Sequence, residues 1–224
     1  MTNVLVIAAH PDDEILGCGA TMARHARDGD AVDIVIVAEG ATSRDVADPL
    51  GEISALRDAA RQAAAAVGAN EPRFLGLPDN RLDSLPLLDV IKSIETVVDE
   101  LRPGVVYTHH GGDLNIDHRV VHQAVLTACR PMPDCPITAI YAFEVLSSTE
   151  WGVGQSDAFL PNHFVNVENQ LFQKLEALRC YETEMRDFPH ARSLEAVQAL
   201  ASYRGASAGV PAAEAFLLVR ERRL

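Results

Sequence analysis

Four ionisable side chains, a histidine, two aspartates and a glutamate, stand within five consecutive residues near the start of the chain. They belong to the segment His10-Pro11-Asp12-Asp13-Glu14, which follows the apolar run from Val4 to Ala9. This run is typical of a buried strand, and Pro11 prevents further pairing with a neighbouring strand. The polar segment therefore lies where a strand ends and a helix begins, which is where open α/β sheets bind ligands. We interpret the segment as part of a metal site.

A second polar segment, from His109 to His118, follows the strand predicted at 104–108. In a parallel sheet the carboxyl ends of both strands open on the same edge, so His118 can meet His10 and Asp13 there. Two imidazoles and one carboxylate leave coordination positions open on a divalent cation, as in catalytic zinc sites. Water bound to such a cation ionises near neutral pH and becomes a nucleophile.

Asp12 lies between the first two predicted ligands in sequence, so we expect it to point away from the metal. It is placed to act as a general base that accepts the proton of the water and later protonates a leaving group. Asp12 and Glu14 have an alternative interpretation as helix caps or first-turn acids that the helix dipole favours. His118 alone would be read as structural. The joint occurrence at two strand ends favours the metal site.

Predicted strands and helices alternate over the first 130 residues, which favours a Rossmann-like, doubly wound and mostly parallel sheet flanked by helices. The chain shows no repeat, low-complexity tract or linker, so we predict a single domain over residues 1–224. The predicted strands after the first are 31–37, 73–75, 104–108, 137–145, 164–165 and 215–219, and the predicted helices are 15–27, 53–67, 87–101, 119–129, 168–181 and 193–204.

Composition narrows the class of partner. The formal net charge of −13 argues against nucleic acid or an anionic membrane as a partner, because both need clustered lysine and arginine. No apolar run approaches the roughly 20 residues that span a bilayer. Four cysteines without a CxxC pair predict free thiols in a reducing compartment. We expect a soluble cytoplasmic protein with a small-molecule substrate.

Three stretches of the sequence resemble one known family. The segment from Ala8 to Glu14, followed by Leu16-Gly17-Cys18-Gly19, resembles the N-terminal signature of the LmbE/PIG-L family of zinc-dependent N-deacetylases. Asn115-Ile116-Asp117-His118-Arg119 resembles the second motif of that family, usually His-Pro-Asp-His or Asn-x-Asp-His. The segments 192–205 and 213–216 are similar to the family's ending. The resemblance spans essentially the whole chain.

The resemblance implies a zinc ion on His10, Asp13 and His118, with Asp12 as base and acid. Fe²⁺ or another divalent cation is the alternative metal. The implied substrate is an acetamide or related amide on an amino sugar or sugar conjugate. Arg57 matches an arginine that holds substrate in relatives, and its alternative interpretation is a solvated helix residue. The resemblance also suggests a homo-oligomer.

One position departs from the family pattern. Relatives carry a histidine that polarises the amide carbonyl three residues before the last zinc ligand, and this chain has Asn115. An amide donates neutral hydrogen bonds but carries no charge. Either Asn115 acts more weakly, or the charge comes from His109, His110 or the C-terminal part, where His190 is the first candidate. We expect Asp117 to orient a nearby histidine.

Other classes of protein compete with this interpretation. The segment Leu16 to Ala20 resembles the glycine-rich loop of a methyltransferase that uses S-adenosylmethionine, but it follows the polar cluster instead of the first strand directly. A mononuclear iron oxygenase also uses two histidines and a carboxylate, but its fold fits poorly. A non-catalytic metal- or sugar-binding protein would not need Asp12. We expect substrate specificity to come from the loops Gly40–Gly51, Asp79–Ser84 and Ser147–Pro161.

Overall fold

The computed structural model describes residues 1–41, 48–152 and 158–223. The strands are β1 (Asn3–Ala8), β2 (Ala31–Ala38), β3 (Arg73–Leu77), β4 (Val105–His109), β5 (Ala139–Phe143), β6 (His163–Asn166) and β7 (Ala213–Glu221). The helices are α1 (Asp13–Arg27), α2 (Pro49–Ala66), α3 (Leu87–Leu101), α4 (Ile116–Ala128), α5 (Leu171–Arg179) and α6 (Leu194–Ala208). Short 3₁₀ helices lie at Leu82–Ser84 and Thr149–Trp151.

The strands form one seven-stranded sheet in the order β3-β2-β1-β4-β5-β7-β6. The first five strands pair in parallel. The predicted fold class, a mostly parallel sheet flanked by helices, is confirmed. The sequence pattern did not reveal that β7 inserts between β5 and β6 and pairs with both in the antiparallel direction.

Strand β1 is buried on both of its faces, which explains its unbroken apolar sequence. Val4 and Val6 belong to the core cluster formed with α1, α2, α5 and α6. Leu5 and Ile7 belong to the cluster formed with α3 and α4. The sheet therefore has a layer of helices on each side.

The candidate site lies where the strand order reverses. Strand β1 pairs with both β2 and β4. The chain leaves β1 into α1 on one face of the sheet, and it leaves β4 toward α4 on the other face. Such a reversal opens a crevice at the carboxyl ends of the two strands. The two polar segments of the sequence, 10–14 after β1 and 109–118 at the end of β4, both lie at this crevice.

Helices α4 and α2 begin earlier than the sequence pattern predicts, and a side chain caps each of them. Asn115 caps α4, which begins at Ile116 instead of 119, and its side chain accepts a hydrogen bond from the N–H of Asp117. Asp48 caps α2 in the same way, ahead of Pro49.

Two of the predicted specificity loops are only partly described: residues 42–47 and 153–157 lie outside the described residues. Among the helices that are described, none is long and apolar enough to cross a membrane.

Candidate active site

The side chains of His10, Asp13 and His118 converge at the crevice. Oδ2 of Asp13 lies 3.2 Å from Nδ1 of His10 and 3.1 Å from Nε2 of His118. The three candidate ligand atoms all lie within 4.8 Å of one another. His10 follows β1, Asp13 begins α1 and His118 lies in the first turn of α4, so the strand reversal brings the three together.

Two polar atoms of this set have no hydrogen-bond partner among the described residues. They are Oδ1 of Asp13 and Nε2 of His118, and both are buried. The contact of His118 Nε2 with Asp13 Oδ2 is close but lacks hydrogen-bond geometry. Burying unpaired polar atoms is costly. Two imidazole nitrogens and a carboxylate are the donors that zinc and iron take in proteins, so the residues fit a divalent cation.

Asp117 holds the ring of His10 from the side away from Asp13. Its Oδ2 lies 3.1 Å from Nε2 of His10. Its two oxygens also accept hydrogen bonds from the N–H groups of Asn80, at 2.7 Å, and Leu82, at 3.0 Å. The carboxylate is therefore fixed by backbone, and it leaves Nδ1 of His10 facing Asp13.

Asp113 does the same for His118, and sequence reasoning missed it. Its Oδ2 lies 3.2 Å from Nδ1 of His118. The hydroxyls of Ser148 and Thr149 both donate to the Asp113 carboxylate. Burial opposes ionisation of Asp113, but His118 outweighs it and lowers the pKa of Asp113 to about 2. A carboxylate behind a ligating histidine fixes the ring and its tautomer.

The carboxylates set the charge of the buried histidines. Burial lowers the pKa of His118, but Asp13 and Asp113 outweigh it and raise the value to about 9. Burial likewise opposes protonation of His10, and Asp117 and Asp13 still raise its pKa well above the ordinary value. Burial and the neighbouring His118 lower the pKa of His109. Neighbouring carboxylates thus raise the pKa of His10 and His118, whereas burial and the charge of His118 lower the pKa of His109.

Asp12 is held in an unusual backbone conformation. Its φ is 105° and its ψ is −31°, a region that residues other than glycine rarely occupy. The Glu14 carboxylate stabilises this turn, because Oε2 accepts the Asp12 N–H at 3.0 Å while Oε1 accepts the hydroxyl of Tyr181 at 2.5 Å. Burial raises the pKa of Glu14 to about 7, against the hydrogen bond from Tyr181. Glu14 thus shapes the turn that presents Asp12.

Asp12 lines a cleft together with residues from several distant parts of the chain. The lining residues are His10, Pro11, Asp12, Gly40, Leu56, Asp79, Asn80, Asn115, Glu184 and Arg192. We call this space the cleft. Burial raises the pKa of Asp12, and the charge of Arg192 counteracts it.

Comparison of the sequence with known proteins identifies the family to which the chain belongs. Residues 5–129, more than half of the chain, match the PIG-L family, described as GlcNAc-PI de-N-acetylase. The chain belongs to the PIG-L family. A protein of Escherichia coli K12 described as the uncharacterized deacetylase YaiS is 32% identical over 187 residues, which cover 81% of this chain and 91% of the relative.

Two solved structures share the PIG-L fold of this chain. N,N′-diacetylchitobiose deacetylase from Pyrococcus horikoshii superimposes with a TM-score of 0.80 at 19% identity, covering 98% of this chain and 84% of that one. GalB, the 4-carboxy-2-hydroxymuconate hydratase of Pseudomonas putida KT2440, gives 0.81 at 22% identity, covering 100% and 98%. These likenesses show the fold. Since the fold carries both a deacetylase and a hydratase, only the site can indicate the reaction.

Arg192 brings a positive charge into the cleft of this PIG-L family member. Its Nη1 donates to Oδ2 of Asp12 at 2.8 Å and to Oε2 of Glu184 at 3.3 Å. Its Nε donates to the hydroxyl of Ser147 at 2.7 Å. His190, the residue that the sequence pointed to first, is exposed, and its Nδ1 accepts the N–H of Arg192. The C-terminal cation of the cleft is therefore Arg192.

His109 and His110 are buried and are not among the residues that line the cleft. His109 is fully buried, its Nε2 accepts the N–H of Ala9 at 2.7 Å, and its ring stacks on His118 with centroids 3.9 Å apart. His110 is also buried, and its ring packs edge-on against Phe159. In these positions both rings pack against other side chains of the core.

Of Arg57 and Asn115, only Asn115 is among the residues that line the cleft. Arg57 is half-buried; it forms an ion pair with Glu39 at 2.9 Å and lies over the ring of Phe74. Asn115 lines the cleft. Because its Oδ1 accepts the N–H of Asp117, its amide NH₂ turns the other way and donates to Asn80 Oδ1 at 3.2 Å.

Proposed function

We propose that the protein is a metal-dependent amide hydrolase that removes an N-acetyl or related N-acyl group from an amino sugar or sugar conjugate. The observation that carries the proposal is the Asp12 carboxylate in the same cleft as His10, one residue from the candidate metal ligand Asp13. The names of the PIG-L family and of the deacetylase relatives support this reaction class. Because GalB is a hydratase of the same fold, the fold alone does not determine the reaction.

His10, Asp13 and His118 would hold the cation, which we propose to be zinc, with Fe²⁺ as the alternative. When bound, the cation supplies a Lewis acid that polarises the amide carbonyl and lowers the pKa of a water molecule. Asp117 and Asp113 then serve to hold the two imidazole rings in place. All remaining steps depend on side chains of the cleft.

Asp12 moves the proton. Its carboxylate accepts a proton from the attacking water and returns it to the departing amine, which leaves together with acetate. Burial raises the pKa of Asp12 well above its ordinary value, against the charge of Arg192, and a raised pKa makes the protonated carboxyl, which must protonate the amine, easier to form. The turn that Glu14 and Tyr181 stabilise fixes the position of this carboxylate.

Asn115 and Arg192 together replace the histidine of other family members. The Asn115 amide can donate a neutral hydrogen bond to the oxygen on which negative charge develops. Arg192 supplies the positive charge that an amide lacks, and it orients Asp12 through their 2.8 Å hydrogen bond. We retain Arg57 as a proposed substrate contact because it matches the arginine that holds substrate in relatives, and its guanidinium pairs with Glu39 in this structure.

Acetate release from defined substrates tests the proposal. The protein is stripped with a chelator and reloaded with Zn²⁺, Co²⁺ or, without oxygen, Fe²⁺, and it is then incubated with N-acetylglucosamine, N,N′-diacetylchitobiose and N-acetylglucosamine glycosides. We expect acetate and free amine in equal amounts from at least one compound, lost on chelation and restored by the cation. Metal-loaded protein that releases no acetate from any of them, or acetate release that chelation leaves unchanged, would contradict the proposal.

A further inference from the structure

Helix α1, which begins with the metal ligand Asp13, is broken at Cys18. Cys18 has φ −147° and ψ 25°, so the turn before it and the rest of the helix do not share one axis. In an unbroken helix the N–H of Ala20 would donate to the carbonyl of Leu16, and the N–H of Thr21 to that of Gly17. A break in the interior of a protein needs other partners for these groups.

An ion pair from two distant segments supplies those partners. Oε1 of Glu214 in β7 accepts the N–H of Ala20 at 3.1 Å, and Oε2 accepts the N–H of Thr21 at 2.6 Å. Nζ of Lys174 in α5 donates to the carbonyl of Leu16 at 2.7 Å and to Oε1 of Glu214 at 2.6 Å. The two halves of α1 are therefore joined through the side chains of Lys174 and Glu214.

A gain in the stability of the fold does not by itself explain why Lys174 and Glu214 form a buried ion pair. Lys174 is 4% exposed and Glu214 is 5% exposed. Removing two charges from water is costly, and a well-packed apolar pair of similar volume is often as stable as a buried ion pair. What an apolar pair lacks is the ability to bind one carbonyl and two N–H groups in a fixed arrangement.

The first turn of α1 packs against aromatic rings that lie next to the proposed ligand His118. A Cβ on Gly17 would lie 2.3 Å from the ring of Phe143, so the backbone approaches that ring as closely as only glycine permits. The Phe143 ring packs against His109 with centroids 4.8 Å apart, and His109 stacks on His118. The orientation of this turn thus bears on both Asp13 and the ligand His118.

We propose that Lys174 and Glu214 are positioning residues for the metal site. They hold the first turn of α1 at the angle at which Asp13 meets His10 and His118. Without them, the N–H of Ala20 is free to return to the carbonyl of Leu16, which straightens the helix and moves Asp13 away from the histidines. This inference rests on the proposed metal site and concerns affinity for the cation before it concerns turnover.

The test is the affinity of the stripped full-length protein for Zn²⁺, measured by competition with a chelating dye. We expect the double variant Lys174→Met/Glu214→Leu to bind Zn²⁺ about tenfold more weakly, the lower end of the 10- to 100-fold that direct partners of metal ligands contribute, because the pair acts on Asp13 through the backbone of α1. Lys174→Arg keeps both donor contacts and should stay within about threefold of the wild type. Ile94→Ala removes buried side-chain atoms from α3, on the other face of the sheet, and should lower stability without changing Zn²⁺ affinity.

The outcomes separate the two hypotheses. A folded double variant that binds Zn²⁺ as tightly as the wild type overturns the positioning role. If the double variant does not fold, Glu214→Gln decides, because its NH₂ group replaces one of the two carboxylate oxygens and would face the N–H of Ala20 or Thr21 instead of accepting from it. Unchanged affinity again overturns the role. Wild-type protein that binds no divalent cation overturns the proposed function, and the positioning role with it.

Discussion

Arg192 donates a hydrogen bond to Asp12 at 2.8 Å, although the two residues are 180 positions apart in sequence. The same C-terminal stretch contacts the polar turn a second time, because Tyr181 donates to Glu14. The turn after β1 is therefore held from outside by side chains of the last quarter of the chain. A base that must accept and return a proton at one position needs such restraint.

Replacing Arg192 by methionine should lower turnover with little change in metal content. A hydrogen bond to a charged group contributes about 1.5–3 kcal/mol, which corresponds to roughly a 10- to 100-fold loss in kcat. Arg192→Lys should recover part of the rate, because it keeps the charge but not the paired contacts to Asp12 and Ser147. The measurement is acetate release at saturating substrate.

Arg186→Met is the matched control for Arg192. Arg186 is exposed, and its Nη1 donates to the backbone carbonyls of Thr183 and Met185 in its own loop. The Arg186→Met variant should have a kcat within about twofold of the wild-type value. An Arg192→Met variant with the same kcat as Arg186→Met would exclude Arg192 from the reaction.

Asp113→Asn should weaken binding of the metal without abolishing it. The carboxylate fixes the His118 ring through Nδ1, and loss of such a partner typically reduces affinity about 10- to 100-fold. Zn²⁺ competition with a dye measures the change. Asp134→Asn, at an exposed aspartate remote from the cleft, is the control. Equal affinities in both variants would show that Asp113 does not support the ligand.

Gly17→Ala should destabilise the fold even though alanine is the better helix former. The new Cβ would lie 2.3 Å from Cδ2 of Phe143, and overpacking of this kind costs about 1–3 kcal/mol. Urea unfolding of metal-free protein measures the free energy of unfolding. Adding Phe143→Leu should restore part of the loss. A more stable Gly17→Ala protein would mean that the contact with Phe143 is not tight.

The sequence was sufficient for the parts of the site that depend on local pattern. The apolar run of β1 and the polar segments after β1 and β4 are visible in one dimension, and parallel strands place their carboxyl ends together. For this reason His10, Asp13 and His118 could be proposed as one set. The contact between the buried residues Lys174 and Glu214 could not be predicted from the sequence. Neither residue carries a local sequence signal, and their contact depends on how α5, β7 and α1 pack.

His109 shows how a small error in a boundary changes a functional interpretation. The sequence pattern ended the strand at Thr108, which made His109 a loop residue that could face substrate. Strand β4 continues through His109, so the side chain alternates onto the same face as Tyr107 and packs in the interior. Arg192 was missed for another reason. His190 was chosen as the candidate from that segment because it is a histidine, whereas the fold directs the side chain of Arg192, two positions later, into the cleft.

The most direct measurement compares wild type and Asp12→Asn at equal metal content. Metal analysis should give the same occupancy for both proteins, because Asp12 is not one of the three proposed ligands, while the rate of acetate release should fall by about 10²- to 10⁴-fold in the variant. This result would identify Asp12 as the group that moves the proton. A fully loaded Asp12→Asn protein that releases acetate at nearly the wild-type rate would contradict the mechanism.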